Sequence, residues 1–346
     1  MKASRKPSWS PLPHSHEDRE RAKSVPETPQ TMAPSYRLAW TDEDFMTLRD
    51  LRPVRLQLEL LKPELILAER GIEGPFEIED LTFLRPLHVP DGEARTVRVT
   101  LAPESGGHGL AVDSEHPTGL LRHAEAKVRT LRTAEPVALD IAAALARCGE
   151  RTLVAGDRPL RSAQEDNLQF GARWQVLRSI TFGRGEAIAK LALSEAFVSD
   201  LDQGYRLHPA LLDIATGYAM DLIDGYDPAD GLWVPMTYGK MRVHGALPAT
   251  IWSHVRLDTS KGLGPGYATF DVTISDEHGR VLIEVQGFTV KQLPAGTDLS
   301  PSLARECEAK AAAAAKTSGE TELSPALARL AAQIDQGILP EEGFEA

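Results

Sequence analysis

A tyrosine, a His-Pro pair and one carboxylate stand close together in residues 205–220, YRLHPALLDIATGYAM. Pro209 suits the first turn of a helix, where its missing N–H would have no intrahelical partner. Leu211, Leu212, Ile214, Ala215, Tyr218, Ala219 and Leu222 follow densely enough for a helix buried on most sides, and 208–222 is its expected span. Asp213 would then lie in the opening turns, at an apolar pocket and near the positive end of the dipole. Desolvation raises the pKa of such a carboxyl and lets it act as a proton or hydrogen-bond donor. The same placement also serves a carboxylate that only supports the helix start, and the residues alone leave both readings open.

Other chemistry-bearing residues are scattered. His208, beside Pro209, reads as a satisfied structural histidine, and His244 and His254 fall in strand-like segments. No His/Asp/Glu cluster has the spacing of a metal site, so no metal is expected. Cys148 and Cys307 are far apart in unlike contexts, which suits a reducing, cytoplasmic setting and excludes a disulfide framework or a Cys-based zinc site. Gly183 and Gly185 read as a hairpin turn, because no strand-loop-helix context makes them a phosphate loop.

The elements that must position Asp213 can be read from the pattern. At 346 residues, one large β-rich unit or two fused halves would fit. The formal charge of −12 argues against a nucleic-acid or anionic-membrane partner, although a local basic patch would suffice for an acidic carrier protein. No run approaches a membrane span, and the first 25 residues lack the apolar core of a signal peptide.

Residues 1–35, rich in Pro, Ser, His and charge, read as a flexible linker. SYRLAW opens the structured part as a strand, 56–60 alternates as another, and 62–70 is a short helix ended by Gly71. Strands follow at 76–87, 96–101, 109–113 and 125–131, and 139–147 is helical in propensity. The second half repeats the plan: an opening segment, the helix at His208, then strands at 237–243, 251–257, 269–275 and 281–293. Two passes of strand, helix and several strands make an internal duplication. The tail beyond 295 contains ECEAKAAAAAK, helix-prone but without an apolar face, and so reads as a solvated linker helix.

LHPALLD after a tyrosine resembles the C-terminal active-site motif of polyketide synthase dehydratase domains. Residues 170–193, FGARWQVLRSITFGRGEAIAKLAL, are similar to the same family in the expected order, as are 232–257 and 271–293. Upstream, 78–103, IEDLTFLRPLHVPDGEARTVRVTLAP, looks like that family's first hotdog. The resemblance covers roughly 36–293 and implies an α+β double hotdog, two antiparallel sheets each wrapped around a central helix. On it the chain divides into a linker (1–35), an N-terminal hotdog (36–135), a connection (136–165), a C-terminal hotdog (166–295) and an Ala-rich inter-domain segment (296–346).

Family dehydratases remove water from a 3-hydroxyacyl thioester. A His takes the C2 proton and the Asp protonates the departing hydroxyl. The resemblance therefore implies a substrate carried on the phosphopantetheine arm of an acyl carrier protein, with no cofactor of the domain's own. Its partners would be a neighbouring ketosynthase or other synthase domains, and a homodimer is compatible with it.

The motif that should supply the base is degenerate. Aligning Asp50-Leu51-Arg52 with the usual Asp-His-Arg puts Leu51 where the His belongs, Arg55 where the Gly belongs and Leu60 where the Pro belongs. His88 is the nearest downstream histidine, but it reads as a strand end entering a turn. Gly217 stands where the family has Gln or His bonded to the carboxyl, and Phe170-Gly171-Ala172 replaces Tyr-Gly-Pro. Asp213 is left as the candidate acid, with Tyr205, Leu51, Phe170, Gly217 and Tyr238 around the substrate. The expectation is a dehydratase-like domain that no longer dehydrates yet still holds a carrier-bound intermediate, assisting a ketosynthase-coupled step such as Michael-type branching. Two alternatives remain: an active dehydratase, double-bond isomerase or pyran-forming cyclase with a non-standard base, and a structural dimer spacer.

Overall fold

Alternating apolar residues from Ser35 onward build strands, and these run in chain order as β1 (Ser35–Ala39), β2 (Met46–Leu48), β3 (Phe76–Phe83), β4 (Ala94–Glu104), β5 (Gly107–His116) and β6 (Gly119–Thr130). Helix α1 (Ile141–Arg147) follows, then β7 (Arg151–Val154), β8 (Leu168–Phe170), β9 (Leu177–Phe182) and β10 (Glu186–Ala192). After α2 (Pro209–Gly217) come β11 (Gly231–Val243), β12 (Thr250–Leu257), β13 (Tyr267–Ser275) and β14 (Val281–Pro294). This computed structural model describes residues 74–87, 94–116, 119–131, 135–203, 206–294 and 297, together with the strands 35–39 and 46–48. The expected strand at 56–60 and helix at 62–70 lie outside the described residues, as do Tyr205, Leu51, Arg55, Leu60 and His88.

Among the described residues, twelve strands form one antiparallel sheet in the order β1-β4-β5-β6-β3-β11-β14-β13-β12-β10-β9-β7. The first five are the N-terminal half and the last seven the C-terminal half. They meet where β3 pairs with β11, from Thr82↔Thr237 to Phe76↔Val243. The fold is a double hotdog: the C-terminal sheet wraps α2, and the strands of the N-terminal sheet continue it across the seam. A separate two-stranded ribbon pairs β2 with β8, setting Met46 opposite Phe170.

The seam is held by charge as well as by hydrogen-bonded backbone. Glu77 on β3 is buried and accepts from Arg129 Nε on β6 and from Arg242 Nε on β11, both at 2.7 Å. Burial alone would raise the Glu77 pKa, but the two guanidiniums outweigh it and hold the carboxyl below its ordinary value. One buried anion thus bonds to a strand from each half.

Helix α2 is shorter than the expected 208–222. It ends at Gly217, with Tyr218 as its C-cap, and a separate 3₁₀ turn covers Met220–Leu222. Glycine is a poor helix former, and the Tyr218 hydroxyl is held away from the helix by Ala187 O and Ser253 O, both at 2.8 Å. The apolar residues named above are nevertheless in the core, with Leu211 and Ala215 fully buried and Leu222 packed against it. Helix α1 begins two residues later than expected, at an Asp140 N-cap whose carboxyl accepts from Ala143 N at 2.9 Å. The segment expected only to connect the halves also contributes β7 to the edge of the C-terminal sheet.

Candidate functional site

Two segments meet at Asp213. The first is the 3₁₀ turn Ala172–Trp174, which follows β8 directly and ends on a buried indole. The second is α2, opened by Pro209 at its first position, with His208 as the N-cap residue. Asp213 is the fifth residue of α2. It therefore lies in the opening turns, as expected, but just past the first turn, whose free amide groups carry most of the dipole's effect.

Its partner is instead Trp174, whose Nε1–H donates to Asp213 Oδ2 at 2.6 Å. The residue is half-buried. Desolvation of the carboxyl pushes its pKa up to about 6, while the indole hydrogen bond pulls the other way. One turn on, a Cβ at Gly217 would meet no atom of the described residues within 4 Å, so space lies open among them beside the carboxyl's own turn. Thr216 neighbours Gly217 on the same turn. Its hydroxyl donates to Leu212 O or Asp213 O and lies 3.3 Å from the Tyr238 hydroxyl.

The two segments are tied together by a buried ion pair. Arg173, adjacent to Trp174, donates from Nε to Asp200 Oδ2 at 2.6 Å, and both side chains are about nine-tenths buried. The same oxygen lies 3.3 Å from His208 Nε2, and Arg173 stacks 4.6 Å over the Phe197 ring. Burial would raise the Asp200 pKa, but His208 and Arg173 hold it below the ordinary carboxylate value. Asp200 therefore fixes the residue before Trp174 and the residue before Pro209 at once. His208 is fully buried in this structural role.

The sequence candidates fare differently. Phe170 is half-buried against the core at the end of β8, four residues before Trp174. Tyr238 is fully buried, stacked on Phe288 at a 4.6 Å centroid distance and edge-on to Phe83, so it supports α2 from beneath. Gly217 lies one turn after Asp213 on α2, and Tyr238 reaches that helix through the Thr216 hydroxyl. Tyr205 and Leu51 lie outside the described residues, although β2 ends three residues before position 51. Sequence reasoning missed Trp174, Arg173 and Asp200. The FGARW run was the available signal for the first two, whereas Asp200 in SEAFVSDLDQ carried none. A cavity of about 410 Å³, lined by Tyr226, Trp233, Leu257, Lys261, Tyr267 and Gln292 among others, lies toward the start of β11, and Asp213 is not part of its wall.

Comparison with known proteins gives a consistent answer. Residues 138–300 match the family described as polyketide synthase dehydratase N-terminal domain. The chain is similar to polyketide synthase PksM of Bacillus subtilis (strain 168), 23% identical over 241 residues, covering 67% of this chain and 6% of that protein. Similarity to polyketide synthase PksN of the same organism is also 23%, over 268 residues, covering 72% of this chain and 5% of the relative. The chain thus spans only a small fraction of these curated relatives. Among solved structures, a trans-AT PKS dehydratase domain from Brevibacillus brevis superposes with a TM-score of 0.64 at 19% identity, over 77% of this chain and 96% of that one. The dehydratase domain of RzxB from Pseudomonas fluorescens gives 0.59 at 18%, over 75% and 94%.

Proposed function

We propose that this chain, a dehydratase-like double hotdog of the modular polyketide synthase type, does not dehydrate but holds a polyketide intermediate delivered on the phosphopantetheine arm of an acyl carrier protein. It then assists a step run with a neighbouring ketosynthase, such as Michael-type branching. The reading rests on one observation: the Asp213 carboxyl is bonded to the Trp174 indole in a setting whose desolvation raises its pKa, with Gly217 leaving space one turn away among the described residues. Ordinary dehydration needs a base for a weakly acidic C2 proton. Position 51, which aligns with that base, is a leucine.

Desolvation raises the Asp213 pKa to about 6, which brings the neutral carboxyl within reach near neutral pH. The neutral form can donate one hydrogen bond to a thioester-linked chain. When a carbon nucleophile adds to an unsaturated thioester, charge develops on the carbonyl oxygen, and a donor placed there stabilises it. That role needs an acid and an open, apolar chamber, and it leaves the missing histidine without a task.

The test pairs Asp213→Asn with Leu51→His, each assayed with the neighbouring ketosynthase and carrier. Asp213→Asn should lower the assembled reaction on the order of 100-fold. Leu51→His alone should not restore dehydration, because Arg55, Leu60 and Gly217 remain unlike the dehydratase pattern. If both variants match the parent in every assay, Asp213 is structural and the domain is a spacer.

A further inference from the structure

On the outer face of the C-terminal sheet, three metal-ligating side chains converge although they are far apart in sequence. Cys148 is the C-cap residue of α1, Glu186 is the first residue of β10, and His254 lies in the middle of β12. Cys148 Sγ, a Glu186 carboxylate oxygen and a His254 ring nitrogen all lie within 4.8 Å of one another. Cys148 is fully buried, His254 is buried, and Glu186 is half-buried at the rim.

The arrangement is built into the fold. Strands β10 and β12 are paired with Glu186 opposite Arg256 and Ile188 opposite His254, which makes Glu186 and His254 diagonal neighbours on one face. His254 Nε2 lies 2.7 Å from Glu186 Oε2. The end of α1 is brought down onto this pair at Gly183, where a Cβ would come 2.7 Å from Cys148 Cα and 2.9 Å from Arg147 O. Any side chain at 183 would push Cys148 away from Glu186. Ala144 and Cys148 then pack on Ile188, with Trp252 and Leu145 at the margin.

We propose that Cys148, Glu186 and His254 form a site for Zn²⁺, with a water completing a tetrahedral shell. A thiolate, an imidazole and a carboxylate select zinc over magnesium or calcium, which take oxygen donors. Tetrahedral bonds of about 2.0–2.3 Å set donors roughly 3.3–3.7 Å apart, so binding would part His254 Nε2 and Glu186 Oε2, now 2.7 Å apart, by about 0.6 Å and draw all three donors, now within 4.8 Å of one another, onto one ion. Arg147 now shares Glu186, with Nε at 3.0 Å and Nη2 at 3.3 Å, and is the one competing cation on that carboxylate among the described residues. Its side chain is half exposed and can turn into solvent at little cost. Binding would release the thiol proton and cross-link α1, in the connection between the halves, to two strands of the C-terminal sheet. The site is separate from Asp213, does not depend on the functional reading above, and departs from the expectation of no metal and no Cys-based zinc site, which rested on spacing along the chain alone.

The experiment titrates the purified full chain with Co²⁺ as a spectroscopic stand-in, followed by zinc competition. A thiolate-to-cobalt charge-transfer band should saturate at one ion per chain and be bleached by Zn²⁺. Cys148→Ser should remove the band, and His254→Gln should weaken binding on the order of 100-fold or more. Cys307→Ser should keep the band, and Arg147→Ala should tighten binding roughly two- to fivefold by removing the competing cation. Circular dichroism on each variant checks that the fold is intact. No charge-transfer band in the folded parent, or a band that survives Cys148→Ser, overturns the proposal.

Discussion

Replacing Asp200 with alanine will cost the fold about 3 kcal/mol at neutral pH, among the larger effects of any single substitution in the C-terminal half. The carboxylate is buried between Arg173 and His208, and truncation removes one member of a desolvated ion pair rather than a surface contact. The sign of the pH dependence follows from its lowered pKa. A carboxyl depressed below its unfolded value of 3.8 contributes stability above that pH, and loses it as pH falls through the folded pKa. Parent and variant should therefore differ by a constant amount from pH 5 upward and converge only in acid. Urea unfolding across that range reads this directly. A loss below about 1 kcal/mol would mean that Asp200 does not clamp the two segments.

Asp213→Asn should do the opposite and stabilise the protein at neutral pH by about 1–3 kcal/mol. The folded pKa of Asp213 is raised from 3.8 to about 6, so the folded state keeps this proton when the unfolded chain has lost it. Ionising the group between pH 4 and pH 6 thus costs stability, and the full penalty is present above pH 6. Asparagine carries no charge and its amide oxygen can still accept from Trp174 Nε1. The gain of the variant should be near zero at pH 4, rise through pH 5, and reach its limit by pH 7. Stability gained where activity is lost marks a group retained for chemistry. A variant no more stable than its parent at pH 8 would show that Asp213 is not desolvated as described.

Most of the sheet was legible because its apolar residues alternate. Strand β12 starts one residue earlier than its pattern suggested, at Thr250, and β13 two residues earlier, at Tyr267. Strand β11 was cut short, since LWVPM does not alternate and Pro235 interrupts it. In the structure the pairing of β11 with β14 shifts register between Pro235 and Thr237, so the proline is absorbed at an irregularity and the strand runs back to Gly231. The long reading of α2 failed for a different reason: apolar periodicity continues past Gly217, but the Tyr218 hydroxyl is captured by the sheet.

The position of Asp213 on a largely buried helix was legible from the apolar residues around it. Its hydrogen-bond partner lies 39 residues earlier, and no pattern in the sequence ties Trp174 to it. The Arg173–Asp200–His208 contact and the Cys148–Glu186–His254 cluster are hidden for the same cause. Each gathers side chains from three different segments, and spacing along the chain carries no record of them.

The most direct test of the account gives the protein a 3-hydroxyacyl thioester on its carrier and weighs the carrier by mass spectrometry over time. The domain should load or bind the carrier-linked chain and leave its mass unchanged, because no histidine stands at position 51 to take the C2 proton. Loss of one water from the acyl chain, abolished by Asp213→Asn, would show a working dehydratase with a different base and contradict the account.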